Sequence, residues 1–343
     1  MDFYSYIQAL RSQDILINNS GKMKSFEKII CLLFCLPLIF LSCSKDNDKK
    51  QDELPSVTHE FKYLESTLND FYNNNQFPLS IALNNDKIYI GDNDMNITIF
   101  DADYTYLDEL KNNNGAKIGA SIIRFKNNDA FFIYNPEFNY LRCYCPVHKR
   151  ENEINGLPEL SDNYVNPIFV DRQNRLFLIY DNHTIHRYNS DLTGPVAITA
   201  DIGSLFEHGG YDFKIMDICT DNFNKVYISV DVNDTQGEGY DAVLKFDNDL
   251  NFIAAIGGNW TLNGPHGIAF DDANYMYVVN RFHHVVKVFD TDLKFVTMSW
   301  ENLDDPGSTD GQLNQPIGIR IKDNKVYVTE KDNHCVTVYT TYN

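Results

Sequence analysis

The chain of 343 residues is poor in positive charge and in tryptophan, and it has no apolar run long enough to cross a bilayer. Its 29 Lys and Arg face 48 Asp and Glu, a formal charge of −19, and no stretch is rich in Lys or Arg. Binding to DNA or RNA draws most of its free energy from neutralised phosphates, so nucleic acid is excluded as a partner. No Gly-rich loop leads from a strand into a helix, and no Gly-x-Ser-x-Gly turn occurs, which removes two common routes to phosphate binding and acyl transfer. Beyond residue 76 no helical period is sustained over four turns, which argues against a two-domain α/β organisation. What is present is apolar material: 43% hydrophobic and 13% aromatic residues supply a substantial core and exclude pervasive disorder.

The longest apolar run, Ile29 to Leu41, has 13 residues and follows Lys22, Lys24 and Lys28. A basic segment, an apolar segment of that length and a small residue before Cys43 make a cleavable export signal. Phe40-Leu41-Ser42-Cys43 resembles the lipobox of bacterial lipoproteins, with Phe40 where that family prefers Leu. The resemblance implies lipidation of Cys43, which then anchors the chain to a membrane by its acyl chains. Ser44 to Glu53 carries no apolar residue and cannot fold alone, so residues 43–57 form a charged tether. Its acidity resembles the surface-export tag of some Gram-negative lipoproteins. The expected location is therefore the outer membrane, with the cell surface as one orientation. Because the signal begins naturally at Met23, residues 1–22 are expected to come from an upstream start, leaving 23–42 as signal and 58–343 as the folded domain.

After export and lipidation four cysteines remain: Cys143, Cys145, Cys219 and Cys335. Cys143 and Cys145 sit two apart on an expected strand and point the same way, which makes mutual bonding awkward. Cys143-Tyr-Cys145-Pro-Val-His148 lacks the second half of a zinc site, so free thiols are expected.

Past Val57 one unit recurs: an apolar strand, an Asn/Asp turn, a strand with a central aromatic, a loop and a third strand ending in an aromatic. The central aromatics are Tyr89, Phe132, Phe177, Tyr227, Tyr277 and Tyr327, spaced by 43, 45, 50, 50 and 50 residues. Six copies fill the chain. In the clearest copy, Pro265-His-Gly-Ile-Ala-Phe270, Tyr275-Met-Tyr-Val-Val-Asn280, His284-Val-Val-Lys-Val-Phe-Asp290 and Lys294-Phe-Val-Thr-Met298 read as a four-stranded antiparallel meander. Pro316 to Tyr339 repeats it closely. These two copies resemble NHL repeats, which implies an all-β fold, a six-bladed β-propeller with four-stranded antiparallel blades. The last copy stops after its third strand, and Thr58 to Leu64 is a strand left over before the first copy. We expect this N-terminal strand to pair with the third strand of the last blade and close the ring.

Candidate site positions follow from register. At the start of the innermost strand stand Leu79, Ser121, Asn166, Met216, His266 and Ile317. Pro265-His266-Gly267 resembles a motif of the NHL-type peptide-amidating lyases, in which several histidines hold zinc, but the matching positions here carry Leu79 and Ile317. At the end of the second strand stand Asp92, Asn135, Tyr180, Val230, Asn280 and Glu330, followed by Asp181, Asp231, Arg281 and Lys331. Asp92, Asn280 and Glu330 belong to neighbouring blades and resemble the oxygen donors of six-bladed lactonases, for which a divalent cation is the implied cofactor. Otherwise no metal or other cofactor is expected. Paired acidic residues such as Asp101-Ala-Asp103, Asp247-Asn-Asp249 and Asp290-Thr-Asp292 mimic calcium-loop fragments, but their spacing suits hairpin turns. Asn333-His334, with His283 and His284, matches a structural His that braces the turn after the second strand. The functional expectation is a binding or scaffold module that recognises a glycan, peptide or partner protein. The ligand candidates are His266, Asn280, Arg281, Glu330, Asp92, Asp181, Asp231 and Asn166, with aromatic loop residues such as Tyr180, Tyr211, Tyr240, Trp260 and Trp300 nearby. The alternative is a metal-dependent hydrolase or lyase.

Overall fold

The computed structural model describes residues 60–67, 76–111, 117–126, 130–135, 140–145, 150–154, 168–179, 184–188, 198–202, 205, 212–233, 241–257, 261–300 and 304–342. The signal segment, Cys43 and the tether lie outside the described residues, as do Asn166 and Asp181. Contacts divide the chain into Met1–Thr58 and His59–Asn343.

The second unit is built from six four-stranded antiparallel sheets. An N-terminal strand, β1 (Glu60–Thr67), precedes the first blade of β2 (Pro78–Asn84), β3 (Lys87–Asp92), β4 (Ile97–Asp101) and β5 (Tyr106–Glu109). The second blade holds β6 (Ile122–Phe125), β7 (Phe131–Asn135), β8 (Tyr140–Cys145) and β9 (Arg150–Ile154). The third holds β10 (Ile168–Val170), β11 (Leu176–Ile179), β12 (Thr184–Tyr188) and β13 (Ile198–Asp201). The fourth holds β14 (Asp212–Thr220), β15 (Val226–Asn233), β16 (Ala242–Phe246) and β17 (Phe252–Gly257). The fifth holds β18 (Pro265–Phe270), β19 (Met276–Asn280), β20 (Val285–Phe289) and β21 (Phe295–Met298). The sixth holds β22 (Pro316–Lys322), β23 (Lys325–Glu330) and β24 (Cys335–Tyr342), to which β1 adds the outer strand.

The six innermost strands touch in sequence around the axis, β2 to β6, β10, β14, β18, β22 and back to β2. The ring is therefore closed. Both faces of the middle strands are covered by neighbouring sheets, so they read as continuous apolar runs: every described residue of Met276–Asn280 and Val285–Phe289 is buried. The six recurring aromatics all fall on second strands. Tyr89 and Tyr227 lie against Phe125 and Phe270 at the inner-strand ends of the following blades, with ring centroids 4.6 and 4.7 Å apart.

Closure follows the expected pairing with a shift. Phe61 lies opposite Thr341 and Tyr63 opposite Tyr339, and a bulge then places Glu65 opposite Val338. Leu64, at the bulge, points to solvent. The strand ends at Thr67, three residues beyond the expected stretch, because the bulge restores alternation for a second set of ladder bonds.

The acidic pairs are turn residues. Asp101, Asp247 and Asp290 each accept the backbone N–H groups two and four residues on, at 2.8–3.0 Å. Each turn ends on a left-handed residue, Tyr104, Leu250 and Leu293. The carboxylate offsets that backbone strain by satisfying the N–H groups on both sides of it. Cys143, Cys219 and Cys335 are free thiols.

Candidate functional site

Four of the inner strands carry a bulge, three of them at their start: between Pro78 and Ser80, Pro265 and Ile268, and Pro316 and Ile319, and within β14 between Ile215 and Asp217. A bulge re-aims side chains at the start of a strand. In the fifth blade it places His266 at the start of β18 with no exposed surface. Arg281, just past the end of β19, extends its guanidinium to the same place. Its Nη1 donates to His266 Nε2 at 3.3 Å and its Nε to Gln315 Oε1 at 2.6 Å, while its plane sits 5.2 Å from the Phe282 ring. Since Nε2 accepts, the imidazole proton resides on Nδ1, which is buried with no hydrogen-bond partner among the described residues. Burial, reinforced by the Arg281 charge, holds this imidazole below the usual His range, so it is neutral. The cluster presents donors and positive charge, within a chain whose net charge is strongly negative.

The second-strand set is engaged differently. Asp92 Oδ1 accepts N–H from Asp94 and Asn96 at 3.0 and 2.9 Å. Asn280 Oδ1 accepts Asn263 N–H at 2.6 Å, and its amide donates to His283 Nδ1 at 2.9 Å. Glu330 Oε2 accepts from Asn314 N–H and the Asn333 amide, both at 2.7 Å, while Oε1 accepts from the Thr337 hydroxyl and lies 3.4 Å from Cys335 Sγ. Burial pushes this carboxyl up to about 7 against those hydrogen bonds. All three side chains brace the segment entering their own blade's inner strand or the turn after its second strand. Asp231 lies on β15 opposite Lys214, next to a residue the sequence reading missed, Asp241. Asp241 accepts Val232 N–H at 2.8 Å and Gly264 N–H at 2.6 Å, and so ties the fourth blade to the segment that leads into β18 and His266. Burial raises its carboxyl to about 6.

The histidines after the second strands brace backbone and turn, His283 within its own turn through Asn280 and the other two across blades. His284 Nδ1 accepts Gln315 N–H at 3.2 Å and His334 Nδ1 lies 2.7 Å from Gln76 O, each reaching the segment that enters the next blade. Both hold left-handed backbone, φ 56° and 51°. Of the aromatic loop residues, Trp300 is described, and its Nε1 donates to Asp305 at 3.0 Å.

Deeper along the axis lies a charged group that sequence reasoning also missed. Ladder register makes Ala82, Arg124, Phe169, Cys219, Ala269 and Arg320 equivalent positions, each opposite its blade's marker aromatic. Arg124 is buried, and Arg320 lies 3.6 Å from the fully buried Asp217. Asp217 also accepts N–H from Ile218 and Ile268 at 2.9 and 3.2 Å. Burial raises its carboxyl while the two arginines pull it back down. The available signal was a charge inside an otherwise apolar inner strand, Ile122-Ile-Arg-Phe125 and Ile317-Gly-Ile-Arg-Ile321.

These donors do not fit a divalent cation. His266 has a guanidinium as its neighbour, and Asp92, Asn280 and Glu330 spend their oxygens on backbone and amide N–H groups. Among the described residues no three His, Cys, Asp or Glu converge as a donor set.

Six antiparallel four-stranded sheets closed by the two chain ends define a β-propeller. Residues 313–339, in the sixth blade, match the NHL repeat model, and the described residues form a six-bladed β-propeller. No curated protein matches it significantly in sequence. Among solved structures it is similar to a structural-genomics protein of unknown function from Bacteroides thetaiotaomicron, at 13% identity and TM-score 0.54, covering 78% of this chain and 70% of that one. It is similar also to virginiamycin B lyase from Staphylococcus aureus, at 11% identity and TM-score 0.50, covering 82% and 99%. A catalytically inactive form of that lyase with quinupristin gives 12% and 0.51, covering 82% and 99%. At these identities the likeness shows the fold alone.

Proposed function

We propose that the chain is a lipid-anchored envelope propeller that acts as a binding module, with its ligand at the channel mouth held by Arg281, His266 and Gln315. The observation that carries this reading is the donor-rich cluster: a guanidinium beside a buried Nδ1–H that has no hydrogen-bond partner among the described residues. A buried donor left unsatisfied costs about 1–3 kcal/mol, and a ligand acceptor recovers it. The cluster therefore suits an acceptor-rich group, such as a carboxylate or ring oxygen of a glycan, peptide or partner protein. It does not suit His266 as a general base, because the Nε2 lone pair already accepts from Arg281.

Glycan and peptide arrays probed with the purified chain, together with pull-downs from membranes, test the module. Arg281→Gln and His266→Asn should each weaken the recovered ligand at least tenfold while the melting temperature stays within a few degrees. Empty arrays and pull-downs, or binding unaffected by both variants, overturn the reading. Anchoring rests on the Phe40–Cys43 lipobox, and Cys43→Ala should move the chain from the membrane pellet to the soluble fraction.

A further inference from the structure

In repeat register, the position that follows the end of the second strand holds Asn93, Pro136, Asp181, Asp231, Arg281 and Lys331 in chain order. The two basic residues belong to adjacent blades, the fifth and sixth, in a chain whose net charge is −19. Each reaches the segment that enters the next blade. Arg281 Nε donates to Gln315 Oε1 at 2.6 Å, and Lys331 Nζ lies 5.6 Å from the centre of the Phe77 ring. Gln315 and Phe77 both precede the proline that opens an inner strand, so the two cations stand one blade apart on the same face of the ring. Gln315 also joins them, because its carbonyl accepts the Lys331 N–H at 3.0 Å while its side chain holds Arg281. Both basic side chains are partly exposed, so solvent reaches them. Beside Arg281 lies Phe282, whose ring centre is 5.2 Å from the guanidinium. The ring sits against Gly264, where a Cβ would stand 2.4 Å from Phe282 Cδ2, and yet Phe282 is 42% exposed. This sector of the surface thus presents an apolar ring flanked by two cations.

We infer that the ligand of the binding module is an acidic oligosaccharide of the uronate type, with one carboxylate on Arg281, the sugar ring that bears it against Phe282, and a second carboxylate on Lys331. The inference rests on the binding reading given above and names its ligand class. The bonds from Arg281 to Gln315 and His266 fix the plane of the guanidinium, which lowers the ordering cost of a charge-assisted pair with a planar carboxylate. The C–H face of a pyranose is apolar and packs on an aromatic ring. In a uronate the carboxylate is joined directly to that ring, so seating the sugar on Phe282 brings its charge to the adjoining guanidinium without freezing further rotors. An acidic peptide holds each carboxylate on a flexible stem and offers Phe282 no rigid apolar face. Lys331, a point charge on a long stem, reaches a second carboxylate further along the chain.

Galacturonate and mannuronate tetramers, their methyl esters, cellotetraose and tetraglutamate are the probes, titrated into the purified chain by calorimetry. At least one uronate tetramer should bind saturably with one site per chain, about tenfold or more tighter than its ester, cellotetraose or tetraglutamate. Lys331→Gln should weaken that tetramer about tenfold, and Arg281→Gln at least as much, with the melting temperature within a few degrees of the parent. Phe282→Leu keeps apolar bulk over Gly264 while removing the aromatic face. It should weaken the uronate about threefold or more and leave the weak binding of tetraglutamate unchanged. No binding of either uronate, equal affinity for an ester or cellotetraose, tetraglutamate binding as tightly, or full binding by the Lys331→Gln or Phe282→Leu chain would each overturn the assignment. A neutral glycan or a peptide whose binding is lost in Arg281→Gln and His266→Asn but kept in Lys331→Gln overturns the uronate assignment and leaves the binding module standing. The absence of any ligand removes both.

Discussion

Glu330 shows how burial decides the behaviour of one carboxyl group. It has no exposed surface, and desolvation outweighs four hydrogen-bonding partners, so its proton is lost only near pH 7. Between the ordinary range of a Glu and that value the native state holds a proton that the unfolded state has released. Stability therefore falls as pH rises through this window, by about 3 kcal/mol once complete. Glu330→Gln reproduces the protonated form, with its oxygen toward Asn314 and Asn333 and its amide toward Thr337. It should raise the melting temperature at pH 8 by several degrees and flatten the profile between pH 5 and 7.5, measured by thermal denaturation. A variant less stable than the parent at pH 8 would show that the carboxylate is preferred there. The register that grouped Asp92, Asn280 and Glu330 was legible in the repeat. The direction of their side chains was not, because it depends on loop N–H groups that only the folded chain brings within reach.

The strand β1 is the element on which ring closure depends. It pairs with β24 over seven register positions and inserts Phe61 against Tyr339 and Tyr277, at 4.7 and 5.4 Å between centroids. Without it, β24 would expose a row of unpaired N–H and C=O groups and its aromatic neighbours. Deleting residues 60–67 should lower the melting temperature sharply or drive aggregation, and Phe61→Ala should cost about 2 kcal/mol by denaturant titration, below a fully buried Phe because Phe61 retains some exposure. A deletion that melts like the parent would mean the ring closes without this strand. The need for a closing strand was readable from an incomplete last repeat and a leftover segment. The bulge at Leu64 was not readable, since alternation alone continues through it.

At the scale of the molecule, the ring tolerates little change in the distance between blades. A Cβ on Gly91 would stand 1.8 Å from Ser121 O in the next blade, and Ser80 Oγ donates to that same carbonyl at 2.6 Å. Gly91→Ala must push β3 away from the segment that enters β6, and blades packed around one axis cannot relax singly. It should destabilise the chain by about 3 kcal/mol or more in denaturant titration, beyond the cost of an ordinary surface glycine substitution. A loss below about 1 kcal/mol would show that the blades slide independently.

Periodicity by itself determined the number of blades, the strand order within each, the six marker aromatics and the turn role of the acidic pairs. These properties rest on interactions among residues near one another in the chain or repeated at a constant interval. Only the tertiary structure decided which side chains meet on the axis. The pairing of Asp217 with Arg320, the contact of Arg281 with Gln315, and the reach of His284 and His334 into the following blade join residues from different repeats. Their separation is set by the closing of the ring, a distance that no local pattern encodes.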